Sequence, residues 1–187
     1  MRPNTRRPDL NNIETAAGER NPREVEAQLQ ELRNIKANWL RVAKSRLRLE
    51  LRGLALAMSR GAVPQEYARV LWGEGAVSWM GTASPDAQSY VLKEAAAIAV
   101  LFPWVNIGQG KMTPERAELL FSGGCLCGYG EDRWALARSL GLGRTDLCRY
   151  CSEAFQVWGQ QLGLKVTPHP GRDNSCRLEA IKLDRGA

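Results

Sequence analysis

The hydrophobic residues of this chain change their period once, and that change limits the fold more than any other feature. Before Pro103 the apolar positions recur at helical spacing; after it, short segments read as strands and helices in turn. Val25, Leu29, Leu32, Trp39, Val42, Leu47, Leu51, Leu54 and Met58 share a helical repeat, with Pro22 at its first turn and Gly61 at its end. One long amphipathic helix over 24–59 is expected, with an interruption near Gly53. Pro64 opens a second helical stretch crossed by Gly73 and Gly75. "SPDAQSYVLKEAAAIAVLF" opens a third with a Ser-Pro-Asp cap, and its alanine run implies a closely packed buried helix.

Beyond Pro103, "ERAELLFSGG" reads as a strand, "EDRWALARSLG" and "RTDLCRYCSEAFQVWGQQLG" as helices closed by Gly141 and Gly163. "LKVTPHPGRDNSCRLEAIKL" reads as two strands, 164–169 and 175–183, joined by a turn through Pro170, Gly171, Asp173 and Asn174. The fold class is therefore α+β: a helical N-terminal half, then a strand–helix–helix–strand–strand unit with an antiparallel sheet. Residues 1–21 read as a disordered tail, 22–61 as a long basic helix, and 62–187 as the α+β domain.

The charge is uneven. Residues 1–60 carry 13 Lys and Arg against 7 Asp and Glu, whereas residues 61–187 carry 13 against 13. A neutral body with a basic arm argues against a domain that wraps nucleic acid. On the basic side of the long helix no aromatic residues interleave, so it reads as a solvated face whose other side meets the core or another helix. A protein partner or self-association through helix 24–59 stays open. No apolar run approaches the ~20 residues of a membrane span, and "MRPNTRRPDLNN" lacks a secretory leader's apolar core, so a cytoplasmic location is expected.

In a reducing compartment, five clustered cysteines point to metal ligation or chemistry before disulfides. Cys125 and Cys127 stand two apart where a strand hands over to a helix. Cys148 and Cys151 share one face in the first turns of the next helix, and Cys176 begins the last strand. Cys127, Cys148, Cys151 and Cys176 can converge if the helices pack across the sheet, as zinc ligands or as buried, inert thiols. Cys125 is the spare. "IGQGK" is too weak to mean phosphate binding. Glu131 and Asp132 are the nearest acids for general-base work, with stabilisation of a helix N-terminus as their ordinary use. His169, the lone histidine, is the base for a variant in which a cysteine is the nucleophile.

The segment "CGYGEDRWALARSLGL…LCRYCSEAFQVWGQQLGLKVTPHPGRDNSCRLEAI" resembles the C-terminal part of the L-2-amino-thiazoline-4-carboxylic acid hydrolase-like family, over residues 113–184. Cys127, Cys151 and Cys176 match that family's three cysteines by order and by place within elements, and "ERAELLFSGG" matches the preceding strand. A similar sheet occurs in 4-vinyl reductase-type small-molecule-binding domains, where cysteines hold zinc. The family's threonine-rich strand and turn, its second adjacent cysteine and its aspartate–aromatic pair are replaced by "VTPHPGRDNSCRLEA", and Cys148 and Cys125 are additional. The resemblance implies a zinc-stapled small-molecule-binding or sensing domain with a degraded catalytic motif. The alternatives are a zinc-dependent hydrolase of a cyclic amide or amidine, and a helical interaction protein with buried cysteines.

Overall fold

A computed structural model describes residues 21–122 and 124–183; the expected tail over 1–21 lies, but for Asn21, outside them. The chain divides into two compact units, one reaching to Arg41 and one from Val42 onward. In the first, residues 22–41 are helical, and Leu29, Leu32 and Ile35 are exposed. Its ion pair Arg33–Glu26 is solvent-exposed and contributes little.

The second unit is an α+β domain. Helix α1 (Pro22–Ser59) enters it at Val42 and is followed by α2 (Pro64–Trp72), α3 (Ala76–Met80) and α4 (Ala87–Leu101). Strands β1 (Asn106–Met112) and β2 (Arg116–Ser122), helices α5 (Ala135–Ser139) and α6 (Arg144–Gln160), and strands β3 (Leu164–Pro170) and β4 (Cys176–Lys182) complete it. The four-stranded sheet is antiparallel throughout, in the order β1-β2-β4-β3. It is two hairpins joined through their inner strands, with α5 and α6 inserted between them.

Strand alternation sorts the sheet's faces. Ala117, Leu119, Phe121, Leu164, Val166, Leu178 and Ala180 are buried, forming one core with α4. The other face carries an ion ladder: Arg116 reaches Glu118 at 3.1 Å and Glu179 at 2.5 Å, Arg177 reaches Glu118 at 3.3 Å, and His169 Nε2 lies 3.1 Å from Glu179. A second core gathers Leu47, Leu51 and Leu54 of α1, Ala68 of α2, Leu147 and Tyr150 of α6, and Cys127. From Val42 on, the inward stripe of α1 is thus occupied by the rest of its own domain.

Three expectations need correction. Gly53 does not interrupt α1; a Cβ there would lie 2.2 Å from the Tyr67 hydroxyl, so the glycine lets α2 approach. Helix α4 is capped as expected, Asp86 accepting from the Ser89 amide at 2.7 Å, but only one side of it is buried, and Leu92 and Ala96 face outward. Strand β1 was not foreseen. "NIGQGKM" has two glycines and a single β-branched residue, and it forms an edge strand because β2 offers a free ladder, not through propensity.

Gly159 marks where α6 touches β3: a Cβ would lie 2.4 Å from Val166 Cγ2 and 3.1 Å from the Leu164 carbonyl. Gly159→Ala is expected to cost about 1–3 kcal/mol by overpacking, measured as a lower urea midpoint at unchanged slope.

Candidate functional site: a thiol-ringed hollow beside a tryptophan-walled cavity

Backbone register does the first work of assembly. Phe121 at the end of β2 pairs with Cys176 at the start of β4, so the β2–α5 loop leaves the sheet beside Cys176. That loop carries Cys125 and the buried Cys127. Helix α6 packs against β3 and presents Cys148 and Cys151, three residues apart, from above. The β3–β4 turn, with Asn174 at φ 65°, is tied to α5 and α6. Trp134 Nε1 donates to Asn174 Oδ1 at 3.0 Å, and Arg144 donates to the carbonyls of Gly171 and Arg172.

All five sequence cysteines are drawn together. Cys125, Cys148, Cys151 and Cys176 line a hollow of ≈ 40 Å³, room for a single ion or water. Cys127 stands behind it, its sulfur 3.3 Å from that of Cys151. Cys125, set aside on sequence, therefore faces the hollow. Among the described residues no group of three or more His, Cys, Asp or Glu is placed so that it could hold a metal ion as it stands.

The thiols are electrostatically divided. A hydrogen bond from Cys127 brings Cys125 down to about 7, helped by the Cys127 amide and by Arg144 and Arg133. Giving that bond, and one to Cys151, pushes Cys127 well up, and burial adds to it. Burial and then the neighbouring sulfurs raise Cys176, to about 12, and Cys148. One acidic thiol thus sits among three that resist ionisation.

The other candidates fall elsewhere. His169 pairs with Glu179 on the ion-ladder face; with β3 residue 169 opposite Arg177, its ring lies across the sheet from Cys176, so it cannot be the base for that thiol. Asp132 pairs with Arg138 and accepts from the Trp134 amide at 3.2 Å, the ordinary use of an acid ahead of a short helix. Neither Asp132 nor Glu131 lines the hollow or the cavity beside it.

That cavity, ≈ 220 Å³, shares Cys151 with the hollow and is also lined by Cys127. Trp72, Trp79 and Trp158 wall it, with Trp158 centroids 5.6 Å from Trp72 and 5.8 Å from Trp79. A polar chain fixes one side: Trp72 Nε1 donates to the Tyr150 hydroxyl at 2.8 Å, that hydroxyl donates to Glu50 at 2.6 Å, and Arg46 holds the other Glu50 oxygen at 2.7 Å. Gln161 bonds the Trp72 carbonyl at 2.9 Å and the Ala76 amide at 3.1 Å, holding the α2–α3 break in place. Glu94 of α4 completes the lining. Burial pushes its carboxyl up to about 7, and nearby Tyr90 pulls the other way.

Sequence reading missed this cavity. The tryptophans are spread over the chain and look like separate core residues; the one available signal was Glu94, an acid at the head of an alanine run. No family model, curated protein or solved structure matches the chain. Among the described residues no helix is long and apolar enough to cross a membrane.

With their sulfurs 3.3 Å apart, Cys127 and Cys151 are within reach of a bond. In chelator-treated protein, the thiol oxidant diamide is expected to link these two first, read by peptide mass mapping. A dominant Cys125–Cys127 link would contradict the geometry.

Proposed function

We propose that this chain is a small-molecule-binding or sensing domain, with a zinc ion held among its cysteines as a staple beside the ligand cavity. The observation that carries the reading is the cavity of ≈ 220 Å³, aromatic-walled and furnished with few polar groups, as ligand sites are. Cys151 belongs both to this cavity and to the thiol hollow, which places the proposed staple directly beside the ligand space.

Cys127, Cys148, Cys151 and Cys176 are the proposed ligands, and Cys125 is close enough to substitute for one of them. Four thiolates close a tetrahedral shell and make the site structural. The side chains have to turn inward to reach the ion, and the raised thiols have to lose their protons, so the metal, not the fold alone, would order the shell. The resemblance of Cys127, Cys151 and Cys176 to the hydrolase-like family's cysteines supports the same assignment.

A second reading, zinc-dependent hydrolysis of a cyclic amide or amidine, has one observation in its favour. Glu94 lies in the cavity with Cys127 and Cys151, and its carboxyl is near 7, where general acid–base groups work. An open coordination site would have to accompany it.

Protein purified without chelator is expected to contain about one zinc per chain, absent from Cys151→Ala/Cys176→Ala. No metal in either protein would remove the staple and leave the cavity alone. The cavity has its own test. Benzyl alcohol, a neutral probe of suitable size, should show saturation transfer from the wild type and none from Ala154→Trp, in which the new indole fills the space; equal transfer from both would place binding elsewhere.

A further inference from the structure

Resting on the reading of the tryptophan-walled cavity as a ligand site, we propose that its ligand is a small organic cation: a protonated amine carried on an apolar body.

The argument begins with the cavity's two carboxylates. Glu50 is already satisfied, one oxygen accepting from Tyr150 at 2.6 Å and the other paired with Arg46 at 2.7 Å. Glu94 has the Tyr90 hydroxyl beside it but, among the described residues, no cation, and burial drives its carboxyl upward against the pull of Tyr90. Lys93, its neighbour in α4, turns to the Met80 carbonyl at 3.3 Å and lies over the Trp79 ring at 5.3 Å. The Tyr90 hydroxyl, one turn earlier, is buried without a hydrogen bond of good geometry. An acid without a counter-ion in an apolar wall is costly when ionised, and a ligand bringing the opposite charge offsets that cost.

The rings supply the second half of the recognition. Trp72 meets Trp158 at 89° and Trp79 meets it at 55°, so indoles at different tilts border one space. Indole faces are the strongest aromatic partners for ammonium groups. An anion would meet the Glu94 carboxyl, and Arg46, two of whose guanidinium nitrogens are unpartnered, does not line the cavity. A neutral molecule would leave Glu94 either protonated or uncompensated. The aliphatic wall of Ala97, Ile98 and Leu101 suits the ligand's apolar body, and ≈ 220 Å³ limits that body to about one ring.

The test compares benzylamine with its neutral and anionic counterparts, benzyl alcohol and benzoate, by calorimetry on the full chain. Benzylamine should bind at least about tenfold more tightly than benzyl alcohol at pH 8, and benzoate more weakly than either. Benzylamine stays protonated from pH 6 to pH 8 while the Glu94 carboxyl loses its proton near 7, so its affinity should rise about tenfold over that interval. Of the other groups bordering the cavity, Tyr150 and Cys127 are shifted upward, away from this interval, and Cys151→Ser should keep the slope. Cys125 also titrates near 7 but lines the hollow instead, so Cys125→Ser should keep the slope.

Glu94→Gln should abolish both the slope and the preference for the amine while leaving benzyl alcohol binding intact. If that variant does not fold, the slope in Cys125→Ser decides: its presence supports the proposal and its loss overturns it. Benzyl alcohol binding as tightly as benzylamine, or an amine preference that survives Glu94→Gln, would overturn the cation inference and leave the cavity a neutral ligand site. Binding of none of the three probes would overturn the cavity reading along with it.

Discussion

The pairing of β2 with β4 is the constraint on which the rest of the domain depends. Its register, Phe121 opposite Cys176 and Ala117 opposite Ala180, joins two local hairpins into one sheet and settles which side chains face the helices. A slip of one residue would carry Leu178 and Ala180 to the open face and Glu179 into the core. The ion ladder resists that slip: Arg116 of β2 pairs with Glu179 of β4, and Arg177 of β4 with Glu118 of β2. Burial on one face and charge on the other specify the same alignment. The same register brings the cysteine loop to the cysteine that opens β4, so the site follows from the sheet.

The cavity persists because its polar lining is satisfied. Arg46, Glu50, Tyr150 and Trp72 form a chain through three helices, and each bond orients the next group. Arg46 spends one amino group on Glu50 and stacks on Phe102 at 4.7 Å, while two of its guanidinium nitrogens are buried without partners. Such a network earns little net stability over an apolar replacement, yet loss of one member strands the others. Its effect is on shape: it keeps Trp72 upright against Trp158 and stops the aromatic wall from collapsing into the space.

Much of this was legible in sequence wherever local chemistry and long-range packing agree. Pro22, Asp86, Gly61, Gly141 and Gly163 mark helix ends that the structure keeps, and the β3–β4 hairpin lies where its turn residues placed it. The thiols could be seen converging because helix spacing and strand starts are local facts. What escaped were features set by distant partners. Strand β1 is made by the ladder of β2, Gly53 is explained only by Tyr67, and three tryptophans separated by as many as 86 positions meet only in the folded chain. Cys125 was set aside on sequence, yet the loop brings it to the hollow that Cys148, Cys151 and Cys176 also line.

Cys151 is the point at which the two halves of the site become one system. Its sulfur lies 3.3 Å from Cys127 and borders both hollow and cavity. The electrostatics run in the same sense. A negative charge on Cys125, held in place by Cys127, Arg144 and Arg133, raises the cost of ionising Cys148 and Cys176. A cation among the thiols lifts that cost for all of them at once, since opposite charge favours every thiolate it touches. A cation beside Glu94 does the same for the carboxyl. Each compartment therefore holds acids whose ionisation burial opposes, Cys148 and Cys176 in the hollow and Glu94 in the cavity.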